Sequence, residues 1–185
     1  MMAVVVVVVV MVMVMMMMMM MMMIIIMKST ALFLRCNFAR SFALLSPRDS
    51  RTEFSFWSLW SSPLIVTSDV RGLFGHRKET LTNPEVIAVN QDSLATAGDR
   101  VSFNNETGAQ VWSKPLANGD TAVLLYNSHD RHTIDVSCTW QQFSITTAAL
   151  VRDMWLRKDL GRVPAGFSSK LAPHEVAFLR VTPSP

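Results

Sequence analysis

The dipeptide Asn118-Gly119 constrains this chain more than any other feature, because it falls between two strand-like runs, Gln110-Val111-Trp112 and Ala122-Val123-Leu124-Leu125-Tyr126. Both central positions of a type I′ turn need positive φ, which asparagine and glycine adopt most readily, so the spacing predicts a tight β-hairpin. Further strand candidates lie at residues 133–136, 149–155 and 176–181, with Gly161, Pro164, Gly166 and Pro173 marking turns between them. Short strands at this spacing predict an antiparallel β-sandwich over residues 99–185, with a domain boundary near Gly98.

Upstream the texture differs. Residues 52–60 hold Phe54, Phe56, Trp57, Leu59 and Trp60. As a helix this segment is apolar almost all round and must be buried on several sides. Ser62-Pro63 ends it, and the continuous apolar run Leu64-Ile65-Val66 reads as a short strand of a parallel sheet covered on both faces. Thr82-Asn83-Pro84-Glu85 supplies a polar cap, a first-turn proline and an acidic residue ahead of Val86-Ile87-Ala88-Val89, which is a helix start. The expected order over residues 51–98 is helix, strand, helix.

Residues 1–27 contain only Met, Val, Ile and one Ala, and hold every methionine except Met154. Three readings fit this low-complexity run. It is long enough to cross a bilayer, for which about 20 apolar residues suffice, and the following Lys28, Arg35 and Arg40 would hold its C-terminal side in the cytoplasm. It is a degenerate signal, although no positive residue precedes it and no small-x-small cleavage site follows. Or it is a translated nucleotide repeat, since Val, Met and Ile codons differ by single bases. Residues 28–50 show neither helical nor strand periodicity and read as a connector.

The net charge of +3 arises from Lys and Arg interspersed with Asp and Glu, which does not build a nucleic-acid groove. Cys36 and Cys138 form neither a disulfide framework nor a metal-ligand spacing. His76, His129, His132 and His174 share no metal spacing and read as solvated turn residues. No cofactor is implied. Asn105-Glu106-Thr107 would accept a glycan in a secreted protein.

The stretch Phe54-Ser55-Phe56-Trp57-Ser58-Leu59-Trp60, with Pro63-Leu64-Ile65-Val66-Thr67-Ser68-Asp69-Val70-Arg71 after it, resembles a pattern of glycoside hydrolase family 27 α-galactosidases, or melibiases. So does Asn83-Pro84-Glu85-Val86-Ile87-Ala88-Val89-Asn90-Gln91-Asp92, at the expected separation. Gln110-Val111-Trp112, Val151-Arg152-Asp153-Met154-Trp155, Lys158-Asp159-Leu160-Gly161 and Pro173-His174-Glu175-Val176-Ala177 are similar to motifs of that family's C-terminal β-domain. The likeness runs over residues 51–183. It implies a mainly β chain: an antiparallel β-sandwich preceded by the last helix-strand-helix remnant of a (β/α)8 barrel. It also implies a parent reaction, retaining hydrolysis of terminal α-galactosides, with galactoside saccharides as partners and a secreted or lysosome-like setting. Thr67 and Glu175 depart from the family pattern, which has glycine there.

By the same resemblance, the two catalytic aspartates and a W-N-D-P-D-M stretch belong to earlier segments that match nothing here, so no residue of this chain is assigned a catalytic role. Asp69 would sit on the rim of the barrel mouth, just past a strand's C-terminal end. Retaining chemistry needs two carboxyls about 5 to 5.5 Å apart. Asp69 with Asp92 is the pair the barrel-like segment offers, and local backbone hydrogen bonding is the plainer role for each. Trp112, Trp140 and Trp155 suit the sandwich core better than a sugar-stacking platform. The expectation is a C-terminal α-galactosidase-like portion without activity of its own. The rival is a non-catalytic carbohydrate-binding or interaction β-sandwich module, and residues 1–27 leave a membrane-tethered form open.

Overall fold

The computed structural model describes residues 45–66 and 70–184. Among these residues three helices precede the strands: α1 (Pro47–Leu59), α2 (His76–Leu81) and α3 (Pro84–Asn90). Eight strands follow: β1 (Asp99–Phe103), β2 (Ala109–Pro115), β3 (Thr121–Asn127), β4 (Ile134–Thr139), β5 (Ala149–Asp153), β6 (Lys158–Val163), β7 (Gly166–Leu171) and β8 (Val176–Pro183). Short 3₁₀ turns cover Val70–Gly72 and Trp140–Phe143.

All strand pairs are antiparallel. One sheet runs in the order β1-β2-β3-β8-β5-β6, and β4 pairs with β7 in a second. The mainly antiparallel β fold expected from the sequence is the fold observed. Side-chain alternation builds it. From β3 the residues Val123 and Leu125, from β8 Ala177, Leu179 and Val181, and from β5 Ala149 and Val151 point to one face. There they meet Val136, Cys138, Trp140 and Leu171 of the smaller sheet's side in one core cluster. Alternate residues of the same strands, Leu124 and Phe178, are also fully buried, against the helices on the opposite face. With both faces covered, β3 is buried at every position but its first, which is why it reads as an unbroken apolar run rather than an alternating one.

Helix α1 begins five residues earlier than residue 52. Ser46 caps it, its Oγ accepting from Asp49 N–H at 3.1 Å, and Pro47 stands in the first turn. Residues 47–50, read from sequence as connector, are therefore helical; residues 28–44 of that segment lie outside the described residues, as does the run 1–27. Helix α3 starts as expected: Asn83 Oδ1 accepts from Glu85 and Val86 N–H, and Pro84 opens the helix.

The strand expected at Leu64-Ile65-Val66 is absent. These residues have no regular structure, with Ile65 64% and Val66 44% exposed. A parallel strand exists only against neighbouring strands that satisfy its backbone, and no described strand runs beside it.

The β2–β3 hairpin is present in register, Trp112 facing Leu124 and Pro115 facing Thr121. Its turn differs from the expected type. Gly119 N–H donates to Leu116 O at 3.0 Å and Leu116 N–H to Asp120 O at 2.9 Å, and of the two central residues only Gly119 has positive φ, 87°. This is a three-residue loop with glycine in the left-handed position. Asn118 instead uses its side chain, Oδ1 accepting from Asp120 N–H and Nδ2 donating to Asp120 Oδ2. Gly161, expected to mark a turn, lies inside β6 opposite a bulge in β5–β6 pairing. At Gly166 an added Cβ would fall 2.2 Å from Cys138 O, so only glycine lets β7 approach β4 there.

Candidate functional site

The helices lie on the outer face of the six-stranded sheet, and that junction concentrates the chain's aromatic and charged groups. Phe56 of α1 sits edge-on to Trp112 of β2 at 5.4 Å and to Tyr126 of β3 at 5.2 Å, while Trp60 meets Trp112 at 5.9 Å. Each such pair contributes about 0.5–1.5 kcal/mol beyond area burial. Trp155 Nε1 donates to Ser55 Oγ at 2.9 Å, and Thr52 Oγ1 to His174 O at 2.6 Å. Trp140 alone of the three sandwich tryptophans enters the inter-sheet core, where its Nε1 donates to Val163 O. Trp112 and Trp155 serve the helix–sheet junction instead, Trp112 from β2 and Trp155 from the turn after β5.

Charged groups pin the same junction. Arg152 of β5 grips Glu85 of α3 through two 2.8 Å bonds and Asp159 through a third. Lys114 of β2 is fully buried, its Nζ donating to Val89 O at 2.5 Å and Ser61 Oγ at 2.6 Å. Burial pulls its pKa below the ordinary lysine value, and the charge of Asp92 opposes that shift. Arg180 pairs with Asp120 at 2.6 Å. Burial pushes the Asp120 carboxyl up, but hydrogen bonds from Asn118, Thr182 and Arg180 outweigh it and hold the group below its usual value.

The carboxylate pair offered by the sequence does not form a describable site. Asp69, with Thr67 beside it, lies outside the described residues. Asp92 is a structural acceptor: both its oxygens take the Ala117 N–H at 3.1 Å, and Oδ1 also takes Leu94 N–H. It ties the end of α3 to the β2–β3 loop, the local backbone role that suits an Asp after a helix.

Sequence reasoning passed over Glu53. Burial, with the Asp49 charge adding to it, lifts its carboxyl to about 7, and Oε2 is buried without a hydrogen-bond partner among the described residues. Its signal was an acidic residue directly before the apolar run that begins at Phe54. Nearby, Arg51, Glu79, Asn83, Trp155 and Arg157 line a cavity of about 260 Å³. Among the described residues its lining holds one carboxylate, Glu79. The Arg51 guanidinium stands 5.5 Å over the Trp155 ring, occupying a face a sugar would need.

His76 opens α2 and is half-buried, where the sequence suggested a solvated turn residue. His129 and His132 rings are 4.6 Å apart, but His129 Nδ1 already accepts from the N–H groups of Arg131 and His132. His174 pairs with Asp130 at 3.3 Å. Among the described residues no three His, Cys, Asp or Glu side chains converge as metal ligands do. Cys138 is free and buried, which pushes its thiol up to about 11.

Two family descriptions match this chain in tandem. That of the α-galactosidase C-terminal β-sandwich domain covers residues 106–181, and that of α-galactosidase A covers residues 37–92. This chain belongs to the glycoside hydrolase family 27 α-galactosidases. Among family 27 relatives, an α-galactosidase of Oryza sativa subsp. japonica is 34% identical over 142 residues, spanning 76% of this chain and 33% of its own length. A probable α-galactosidase of Dictyostelium discoideum is also 34% identical, over 72% of this chain and 35% of its own. The crystal structure of α-galactosidase I from Mortierella vinacea superposes with a TM-score of 0.69 at 29% identity, over 76% of this chain and 38% of that one. A family 27 β-L-arabinopyranosidase from Geobacillus stearothermophilus gives 0.70 at 25% identity, over 76% and 31%. The chain thus spans about a third of the curated relatives it matches. The family likeness reaches upstream to residue 37, farther than the motifs from residue 51 indicated.

Proposed function

We propose that this chain is the C-terminal portion of an α-galactosidase-like glycoside hydrolase. Its parent reaction is retaining hydrolysis of terminal α-galactosides, and by itself the chain does not catalyse it. In this reading residues 51–98 are the closing elements of a barrel and residues 99–185 its β-sandwich. The observation that carries the reading is the commitment of Asp92 to the Ala117 and Leu94 N–H groups. It takes Asp92 out of the carboxylate pair the sequence offered, whereas retaining hydrolysis requires one group to attack the anomeric carbon and another to protonate the leaving oxygen. No helix among the described residues is long and apolar enough to cross a membrane.

Purified chain assayed with a nitrophenyl α-galactoside is expected to match buffer, and Asp69→Asn to change nothing. Turnover abolished by Asp69→Asn would overturn the proposal and place a working site at that residue. Glycan-array binding by the same inactive chain would favour a carbohydrate-binding module instead.

A further inference from the structure

We propose that Asn105 is an N-glycosylation site, held by its turn in a form ready for modification, and that the attached glycan shields the open edge of the larger sheet. The Asn105-Glu106-Thr107 triplet is the only Asn-x-Ser/Thr sequence in the 185 residues. It falls at the tip of the β1–β2 hairpin, where residues 103–107 are all exposed.

The two adjacent asparagines divide the labour. Asn104 holds the loop: its backbone N–H donates to Ala109 O, its carbonyl accepts from Gly108 N–H, and its Oδ1 accepts from Glu106 N–H at 2.9 Å and Thr107 N–H at 3.0 Å. Thr107 Oγ1 accepts from Ala109 N–H at 3.3 Å. The turn is thereby closed without any hydrogen bond from the Asn105 carboxamide among the described residues. A substituent on Nδ2 displaces nothing.

The chemistry is a glycosyl transfer. Asn105 Nδ2 attacks the anomeric carbon of an oligosaccharide carried on a polyisoprenyl diphosphate. The C–N bond forms as the C–O bond to the diphosphate breaks, one amide proton is lost, and the lipid diphosphate departs.

What the glycan would cover is also defined. Among the described residues β1 pairs with β2 alone and forms one edge of the six-stranded sheet. Phe103, at its end and two residues before Asn105, leaves 43% of its surface in water. An unpaired strand edge with an apolar residue invites pairing with another chain, and a bulky hydrated group anchored beside it blocks that approach.

The test uses the full chain behind a cleavable secretory leader, translated with microsomal membranes and scored on the protease-protected product. The expected result is one species shifted by a single glycan and returned to the unglycosylated mobility by an amidase specific for N-glycans. Asn105→Gln and Thr107→Ala are each expected to abolish the shift, and Thr107→Ser to retain it. Asn105→Gln should leave the thermal unfolding midpoint unchanged, separating loss of the site from loss of the fold. A protected chain without glycan, or a shift that survives Asn105→Gln, overturns the site. Equal aggregation rates for glycosylated and enzymatically deglycosylated chain overturn the shielding role. Neither outcome bears on galactoside hydrolysis.

Discussion

The helical segment and the sandwich are finished to different standards. In the sandwich the only buried side-chain polar atom without a hydrogen-bond partner among the described residues is His174 Nδ1. In the helical segment the hydroxyls of Ser50, Ser58, Ser62 and Thr80, the indole N–H of Trp60 and one oxygen of Glu53 share that condition. The same segment exposes Ile65, Val66, Val70 and Phe74. Buried polar groups are ordinarily satisfied, and large apolar side chains ordinarily covered. The difference teaches that the sandwich satisfies nearly all of its buried polar side chains, whereas the helical segment leaves several of its own without a partner among the described residues.

The largest test of this contrast is Trp140→Ala. Removing the biggest side chain of the inter-sheet core should cost about 3–5 kcal/mol and lower the midpoint of a single cooperative transition followed by tryptophan fluorescence. Phe56→Ala should cost about 3 kcal/mol of helix docking while hydrogen exchange stays slow in β3 and β8. Loss of protection throughout the sheet would show that the sandwich does depend on the helices. The third test is pH. Glu53 holds its proton to about 7 in the fold against an ordinary value of 4.5, so between those values the native state binds more protons than the unfolded one. Stability from this residue is therefore complete below 4.5 and is lost as pH rises through 7. The decline should be about 2 kcal/mol, less than the full shift implies because the residue is partly exposed. Urea titrations at both ends of the range should show the decline in the parent and not in Glu53→Gln. The smallest effect belongs to Gly119→Val. The site has open space around it, so the cost is the positive φ alone, about 1–2 kcal/mol in the same urea titration.

How much was legible follows from what each element depends on. Asn83-Pro84-Glu85 announces α3 because a cap is local chemistry, and the Ala122–Tyr126 run announces β3 because burial on both faces selects apolar residues throughout. The strands β1, β6 and β7 leave no such trace. β1 and β6 are the outer strands of the larger sheet, with mostly exposed side chains, and β7 is half exposed. What makes them strands is the backbone pairing they receive from β2, β5 and β4. Leu64-Ile65-Val66 errs in the opposite direction, carrying a strand's composition without a strand's neighbours. At the candidate site, Asp92 was visible as a carboxylate, but its partner Ala117 lies 25 residues away and contributes only a backbone N–H. Lys114 could not be singled out either, since its partners in the fold are Val89 of α3 and Ser61 in the turn after α1.

The strand order has a consequence for synthesis. β8 is the last of the eight strands to leave the ribosome, yet it lies in the middle of the larger sheet, between β3 and β5. Until it arrives, β3 has one row of backbone groups unpaired, and β5 and β6 are a hairpin with nothing to join. The nascent chain must therefore wait with its most apolar strand half paired, and a ribosome stalled before residue 176 would display a sticky, unclosed intermediate to its chaperones.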